Sequence, residues 1–180
     1  EELDQQIRLK VGIRPVALGK VIATNAGHPN SKLRRKQKAR YIFHVATVEV
    51  LHGGVGIALR PLTEGPAIRD CVANCLDMTQ DVDYHKGVIS PENTEQRILE
   101  EENVRHYTPI RSIIFPLFGT GHGGSPVQDV VPAMLDAFEQ FLTYNQNSPL
   151  EAIHLCVYAE EEVQPVKQMM AEKFDMIGSS

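Results

Sequence analysis

A glycine-rich segment is the part of this sequence best suited to chemistry. Residues 112–124 read SIIFPLFGTGHGG, so an apolar run is followed by Gly119, Gly121, Gly123 and Gly124, and then by a helix-like stretch. Glycines permit positive φ angles and let a ligand approach backbone N–H groups. Such N–H groups, followed by a helix N-terminus, favour an anion. The segment therefore predicts a phosphate-binding loop, although a tight strand-to-helix turn would also need glycines.

Two side chains within this loop could contact a ligand. Thr120 offers a hydroxyl donor, and His122 could hydrogen-bond to the ligand or shield it. The spacing matches neither G-x-x-x-x-G-K-[ST] nor G-x-G-x-x-G, so a P-loop ATPase and an ordinary Rossmann dehydrogenase are both disfavoured.

The other reactive residue types form no recognisable catalytic or metal motif. The histidines His44, His52, His122 and His154 match no zinc spacing, and we expect His44 and His154 to be hydrogen-bonded core residues. Cys71 and Cys75 share a helix face and are expected to pack in the core. Since no nucleophile–base pair can be named, the catalytic residues of any enzyme remain unknown.

Strand-like and helix-like patterns alternate along the chain. The strand-like runs are 16–24, 41–50, 112–117 and 152–158, and the last three are nearly continuous apolar runs. Such runs are typical of a parallel sheet covered on both faces. Apolar spacing predicts helices over 66–80, over 127–144 and from Val163 to Phe174. Pro132 means that the second helix either begins near it or kinks there.

This alternation predicts one α/β domain over residues 1–180 with a layered, largely parallel sheet. Residues 81–110 break the rhythm and contain Glu100-Glu101-Glu102. We expect them to be a surface insertion carrying a short helix near 94–103. A second glycine cluster, residues 51–56, is expected to be a flexible connection, although ligand contact stays open.

Composition restricts the class of protein. The chain has 180 residues, a formal net charge of −5 and three cysteines, and it has no apolar stretch near the ~20 residues that span a bilayer. These features favour a reduced, cytoplasmic setting, no membrane contact and no general nucleic-acid binding. One basic run, residues 32–40, is interpreted as a solvated surface loop, with a nucleic-acid patch as the alternative.

The ordered set of segments resembles the macrodomain family. Ser112-Ile113-Ile114-Phe115-Pro116, the glycine loop and the helix after it resemble that family's signature, and residues 41–45 and 155–158 resemble its other strands. The resemblance implies a three-layer α/β/α sandwich with a mixed, largely parallel sheet. It also implies a module that binds ADP-ribose, free or attached to protein.

The resemblance also implies which residues contact that ligand, and it implies no metal or cofactor. The loop would line the diphosphate and distal ribose, and Tyr158 would stack on adenine unless it packs half in the core. The ligand-binding set is Gly119, Thr120, Gly121, His122, Gly123, Gly124 and Tyr158. The expected partners are ADP-ribose, an ADP-ribosylated protein and other domains of a longer parent chain.

One departure from the family pattern leaves the activity open. Thr24-Asn25-Ala26-Gly27 aligns with a later family segment, so the family's first strands and first ligand loop would precede Glu1. The first hypothesis is a binding module, and the second is an ADP-ribosyl hydrolase of the same family. The third is a scaffold or sensor domain with a degenerate pocket, in which residues 81–110 and 32–40 serve as partner surfaces.

Overall fold

The computed structural model describes residues 2–12, 16–53, 56–61, 64–80, 109–121 and 124–174. In these ranges the chain is a mixed α/β protein. Its elements, in chain order, are α1 (Glu2–Val11), β1 (Val21–Asn25), α2 (Lys32–Arg35), β2 (Tyr41–Val45), β3 (Val48–Gly53), β4 (Gly56–Pro61), α3 (Gly65–Gln80), β5 (Ser112–Pro116), α4 (Val127–Tyr144), β6 (Ala152–Cys156) and α5 (Glu160–Phe174).

The strands pair two by two within the described residues. β1 pairs antiparallel with β2, β3 pairs antiparallel with β4, and β5 pairs parallel with β6. The expectation of a largely parallel sheet is therefore wrong for the first two pairs. β3 and β4 are joined by a short connection, which antiparallel neighbours allow, whereas the connection between β1 and β2 runs over residues 26–40 and contains α2.

The predicted strand over 41–50 is in fact two strands. The chain leaves β2 after Val45, and Ala46 exchanges backbone hydrogen bonds with the start of β1, donating to Lys20 O at 3.0 Å. Val48 then begins a second strand that pairs with β4. Residues 51–53 and Gly56 belong to this hairpin, so the expected flexible connection was wrong for them.

The core is built mainly between α3 and α4, which pack against each other. The predicted apolar face of α3 is confirmed, because Ile68, Cys71, Val72 and Leu76 are fully buried. α4 runs without interruption from Val127 through Pro132 to Tyr144, so a start near Pro132 is excluded. Since proline has no N–H group, the Gln128 carbonyl loses its usual i+4 donor.

The parallel pair β5–β6 covers this core with one face only. Phe115 is buried and Ile113 and Leu155 pack on the core, whereas Ile114, His154 and Cys156 on the opposite face are exposed. The strands therefore alternate between buried and exposed residues. The prediction that both faces are covered is wrong for this pair in the part of the chain that the structure describes.

Two predicted features have contrasting outcomes. Residues 32–40 lie on the surface as expected, but they contain a helical turn, α2, which Ser31 caps by accepting from the Arg34 N–H at 3.2 Å. The insertion predicted over 81–110, with its short helix, lies outside the described residues except for Pro109 and Ile110.

Packing between α3 and α4 predicts how substitutions in α4 change the free energy of unfolding. Met134 is fully buried in α4, whereas Leu142 on the same helix is 48% exposed. Met134→Ala is expected to lower the free energy of unfolding by about 2–5 kcal/mol, because it leaves a cavity that the core refills only in part. Leu142→Ala is the matched control, and its expected cost is below about 1 kcal/mol. Urea denaturation measures both, and equal losses would contradict this description of the core.

Candidate functional site

The parallel register of β5 and β6 brings two chain segments to one edge of the sheet. Pro116 lies beside Cys156, so both strands end at the same level. The segment Leu117–Ser125 leaves β5 there, and Val157–Ala159 leaves β6. Ligands of open α/β sheets bind at the carboxyl ends of strands, which makes this edge the candidate site.

The base of the glycine loop is fixed in the core. Phe118 is buried, and its ring meets the Phe115 ring edge-on with centroids 5.9 Å apart. Phe115 also contacts the Phe138 ring of α4 at a centroid distance of 5.4 Å. These aromatic contacts connect β5, the loop and α4, so the loop begins from a rigid support.

The loop closes on itself by backbone hydrogen bonds. The Ser125 N–H donates to Gly119 O and the Gly124 N–H donates to Gly121 O, both at 3.0 Å. Gly119 has φ 80° and Gly124 has φ 66°, angles that strain any residue with a Cβ atom. Thr120 Oγ1 donates to Leu117 O at 3.1 Å. The N–H groups of Gly124 and Ser125 therefore bond inside the turn and are not open donors.

Five other N–H groups remain as donors near this turn. Among the described residues, no hydrogen bond uses the N–H groups of Gly119, Thr120 and Gly121. The first turn of α4 adds those of Val127 and Gln128, since the bonds to Pro126 O come from Asp129 and Val130. Pro126 supplies no side-chain cap to these groups. Uncapped N–H groups at a helix start attract an anion.

The outer side of the loop is open. A Cβ atom built on Gly121 or on Gly124 would meet no heavy atom within 4 Å. Both glycines are exposed. Apart from the adjacent residues of the loop, no side chain of the described residues packs against these two positions, so a ligand can reach the backbone there.

Ser125 is a candidate site residue that the sequence did not indicate. It is 7% exposed, and its hydroxyl is the buried side-chain polar atom that has no hydrogen-bond partner in the described part of the chain. Leaving such a group unsatisfied costs about 1–3 kcal/mol. Its position directly after the glycine run and before a helix was the available sequence signal, because serine there usually caps the helix.

The other predicted ligand residues have separate outcomes. Tyr158 follows β6 at the same edge and is fully exposed, so the alternative that it packs half in the core is wrong. His122 and Gly123 lie outside the described residues. The structure therefore brings Gly119, Thr120 and Gly121 together in one turn.

The remaining histidines and cysteines lie elsewhere. Burial raises the pKa of Cys71 to about 11 and that of Cys75 to about 12, as expected for packing residues. His154 is exposed, so its predicted core position is wrong. Within the described ranges no three histidine, cysteine or acidic side chains are close enough to hold a metal ion.

His44 is confirmed as a partly buried, hydrogen-bonded histidine. Its Nε2 lies 2.9 Å from the hydroxyl of Thr24, which is buried in β1. Burial, and secondly the charge of Lys10, lower the pKa of His44. The Lys10 ammonium donates to Ala23 O at 2.6 Å and so ties α1 to β1. This arrangement is structural, since it joins α1, β1 and β2.

Comparisons with known proteins give no family for this chain. No protein-family model matches it, and no curated protein matches it significantly. The geometry of the loop and the sequence resemblance are therefore the support for a function.

None of the helices in the described residues is both long and apolar enough to cross a membrane.

Removal of the Ser125 hydroxyl tests whether that group is truly unsatisfied. Ser125→Ala is expected to raise the free energy of unfolding by about 1 kcal/mol, because it removes a polar atom that is buried without a partner. Ser148→Ala is the control, since Ser148 Oγ accepts from the Leu150 N–H at 3.0 Å and its loss should destabilise. Thermal denaturation without ligand measures both. A clear loss of stability in Ser125→Ala would show that the hydroxyl is bonded.

The lowered pKa of His44 predicts that the protein loses stability as the pH falls. Its folded pKa is lowered below the unfolded value near 6.5, so the unfolded chain takes up a proton first as pH falls. The contribution of His44 to the free energy of unfolding is therefore complete above about pH 6.5. Below that pH the contribution declines, by less than about 1.4 kcal/mol per pH unit. Urea denaturation at about pH 5 to 8 measures the slope.

The His44 prediction has a matched control. His44→Gln should flatten the pH slope, whereas His154→Gln, which replaces an exposed histidine, should leave it unchanged. A slope that survives in His44→Gln would assign the pH dependence to other groups.

Proposed function

We propose that this chain is a binding module for ADP-ribose, free or attached to protein, with the diphosphate on the loop after β5. The observation that carries the proposal is the buried Ser125 hydroxyl without a partner, directly between an open glycine turn and the uncapped start of α4. A protein retains such a group at a cost, and a ligand oxygen can satisfy it on binding.

The chemistry of the donors favours an anion with several oxygens. Gly119, Thr120 and Gly121 offer N–H groups from one turn, and Val127 and Gln128 offer two more from the helix start. All five are donors, so they suit phosphate oxygens and repel a metal ion. Their number exceeds what one carboxylate would need, and this supports a diphosphate.

Tyr158 supports a ligand that carries a flat ring beside its phosphates. Its ring is fully exposed at the same strand edge as the loop. An exposed tyrosine offers a base one apolar face, and such stacking is worth about 1–3 kcal/mol. The sequence resemblance to macrodomains selects ADP-ribose among the nucleotides with these features.

No complete catalytic set can be named for this loop, so binding is proposed ahead of hydrolysis. Residues 117–121 and 124–128 supply hydroxyls and N–H groups around the turn, and the described carboxylate next to them, Asp129, lies in the first turn of α4. An ADP-ribosylated protein in the cytoplasm is accordingly the proposed partner, and contacts with other domains of a longer chain fit a binding module.

Calorimetry with ADP-ribose tests the proposal, with Gly121→Val as the variant that blocks the site. A Cβ atom at Gly121 meets nothing within 4 Å outside the adjacent residues, so folding should be kept while the added bulk covers the N–H groups. We expect saturable heat from the native chain and at least a tenfold loss of affinity in Gly121→Val. A folded native chain that gives no heat at about millimolar ADP-ribose would overturn the proposal.

Variants of Tyr158 and Asp129 test separately how the base and the phosphates of ADP-ribose contribute to binding. Tyr158→Ala should weaken ADP-ribose binding by roughly fivefold to a hundredfold and Tyr158→Phe should not. Tyr144→Ala is the matched control, because Tyr144 is also exposed but ends α4 at its far end. Asp129→Asn should strengthen binding about threefold, since a carboxylate in the first turn of α4 repels phosphate.

A further inference from the structure

The segment 26–40 concentrates positive charge on an acidic chain. It contains six lysines and arginines and no aspartate or glutamate. Because the whole chain carries −5 and this segment carries +6, the other 165 residues carry −11. So sharp a separation of charge produces a local positive potential that a solvated, mixed surface would lack.

Two of these arginines hold the segment in place. Arg34 donates to Gly27 O at 3.4 Å, and Arg40 donates to Pro109 O at 2.8 Å. Ser31 also donates to Ala26 O, at 3.3 Å, besides capping α2. The first and third of these bonds close the segment on itself, and the Arg40 bond ties it to Pro109, so its other cations project from an ordered support.

Four cations project into solvent from this support: Lys32, Arg35, Lys36 and Lys38. Their side chains have no ion pair or hydrogen bond with any other described residue. By contrast Arg8, Arg111 and Lys173 each pair with an acidic side chain. These four cations are called the cationic surface below.

Lys38 adds a conformational feature to the cationic surface. Its φ is 57°, and among the described residues it is the non-glycine residue with a positive φ. A lysine in the left-handed region is strained, and glycine or asparagine would adopt that conformation at lower cost. The charge of the side chain gives a reason for lysine to stand there.

We propose that the cationic surface binds the phosphate backbone of a nucleic acid, without sequence selectivity. Three of its four groups are lysines, which act as point charges toward phosphate. Lysine is depleted from protein–protein interfaces, and the large aliphatic residue of segment 26–40, Leu33, is half-buried, so the segment offers little apolar core for such an interface. His28 is the exposed ring of the segment, and the four cations outnumber it, so backbone contact is the mode that fits.

The cationic surface is distinct from the ADP-ribose site. Arg40 contacts Pro109, which precedes the first residue of β5, whereas the glycine loop follows its last residue. The five-residue strand β5 separates the Arg40–Pro109 contact from the glycine loop by about 15 Å. Nucleic-acid binding here does not depend on the proposed function.

Fluorescence anisotropy tests the inference with labelled duplex DNA and single-stranded RNA of about 20 nucleotides. Between about 50 and 200 mM KCl, four phosphate contacts predict that log K falls with log salt at a slope of roughly −3 to −4. The slope should be similar for unrelated sequences. A folded chain that does not bind either probe at about 50 mM KCl would overturn the inference.

Matched double variants assign the binding to this surface. Lys36→Gln/Lys38→Gln should lower affinity at least about tenfold and make the slope shallower by about 2. Lys20→Gln/Lys167→Gln removes the same charge from exposed positions outside segment 26–40 and should change neither value much. Equal losses in the two variants would overturn the assignment, because they would show an effect of net charge alone.

Two competitors distinguish the partner and the site. Unlabelled RNA should displace the probe, and poly-glutamate of equal total charge should do so far less well; equal displacement would contradict a preference for phosphate. ADP-ribose should leave the probe bound and should bind Lys36→Gln/Lys38→Gln as it binds the native chain. Displacement of the probe by ADP-ribose would show that the nucleic acid occupies the glycine loop, and this would contradict the inference without affecting the proposed function.

Discussion

A buried hydroxyl without a hydrogen bond is the constraint on which this account depends. Folding removes Ser125 from water, and no described residue replaces the lost hydrogen bonds. The phenylalanine contacts beneath the loop hold β5, the loop and α4 in place, and the Ser125 N–H is committed to Gly119 O. The same rigidity leaves the adjacent N–H groups fixed and available.

The two proposed anion-binding surfaces differ in their chemistry. At the carboxyl end of β5 the donors are backbone N–H groups, which are neutral, fixed in direction and suited to one compact group of phosphates. On the cationic surface the donors are lysine and arginine side chains, which are charged and suited to a long polyanion. Because the second kind of binding weakens steeply with salt and the first does not, ionic strength separates them.

Local patterns made much of the fold predictable from sequence. The apolar spacing of α3, α4 and α5 and the apolar runs of β5 and β6 gave elements close to those observed. Strand partners were less predictable, since an apolar run such as 41–50 contains no signal for the break at Ala46 or for antiparallel pairing. α1 was missed because its packing depends on two long polar side chains, Gln6 and Lys10, which bond to β1.

The candidate site was predictable in position but not in detail. Glycine spacing located the loop, because positive φ at Gly119 and Gly124 is a requirement of the residue type. Which N–H groups face outward depends on how the turn closes, and only coordinates show that Gly124 and Ser125 donate internally. The buried state of Ser125 likewise depends on tertiary packing. Tyr158 could be placed at the strand end, but its exposure follows from an uncovered sheet face that the sequence pattern did not indicate.

Amide chemical shifts, measured while ADP-ribose is added to the labelled native chain, test the central claim most directly. The account predicts that the N–H signals of Gly119, Thr120, Gly121, Val127 and Gln128 move together and saturate, as new hydrogen bonds to phosphate form. The Gly124 and Ser125 N–H signals, already bonded inside the turn, should move much less. If the ligand moves other signals and leaves those five in place, the loop is not the binding site and the account is wrong.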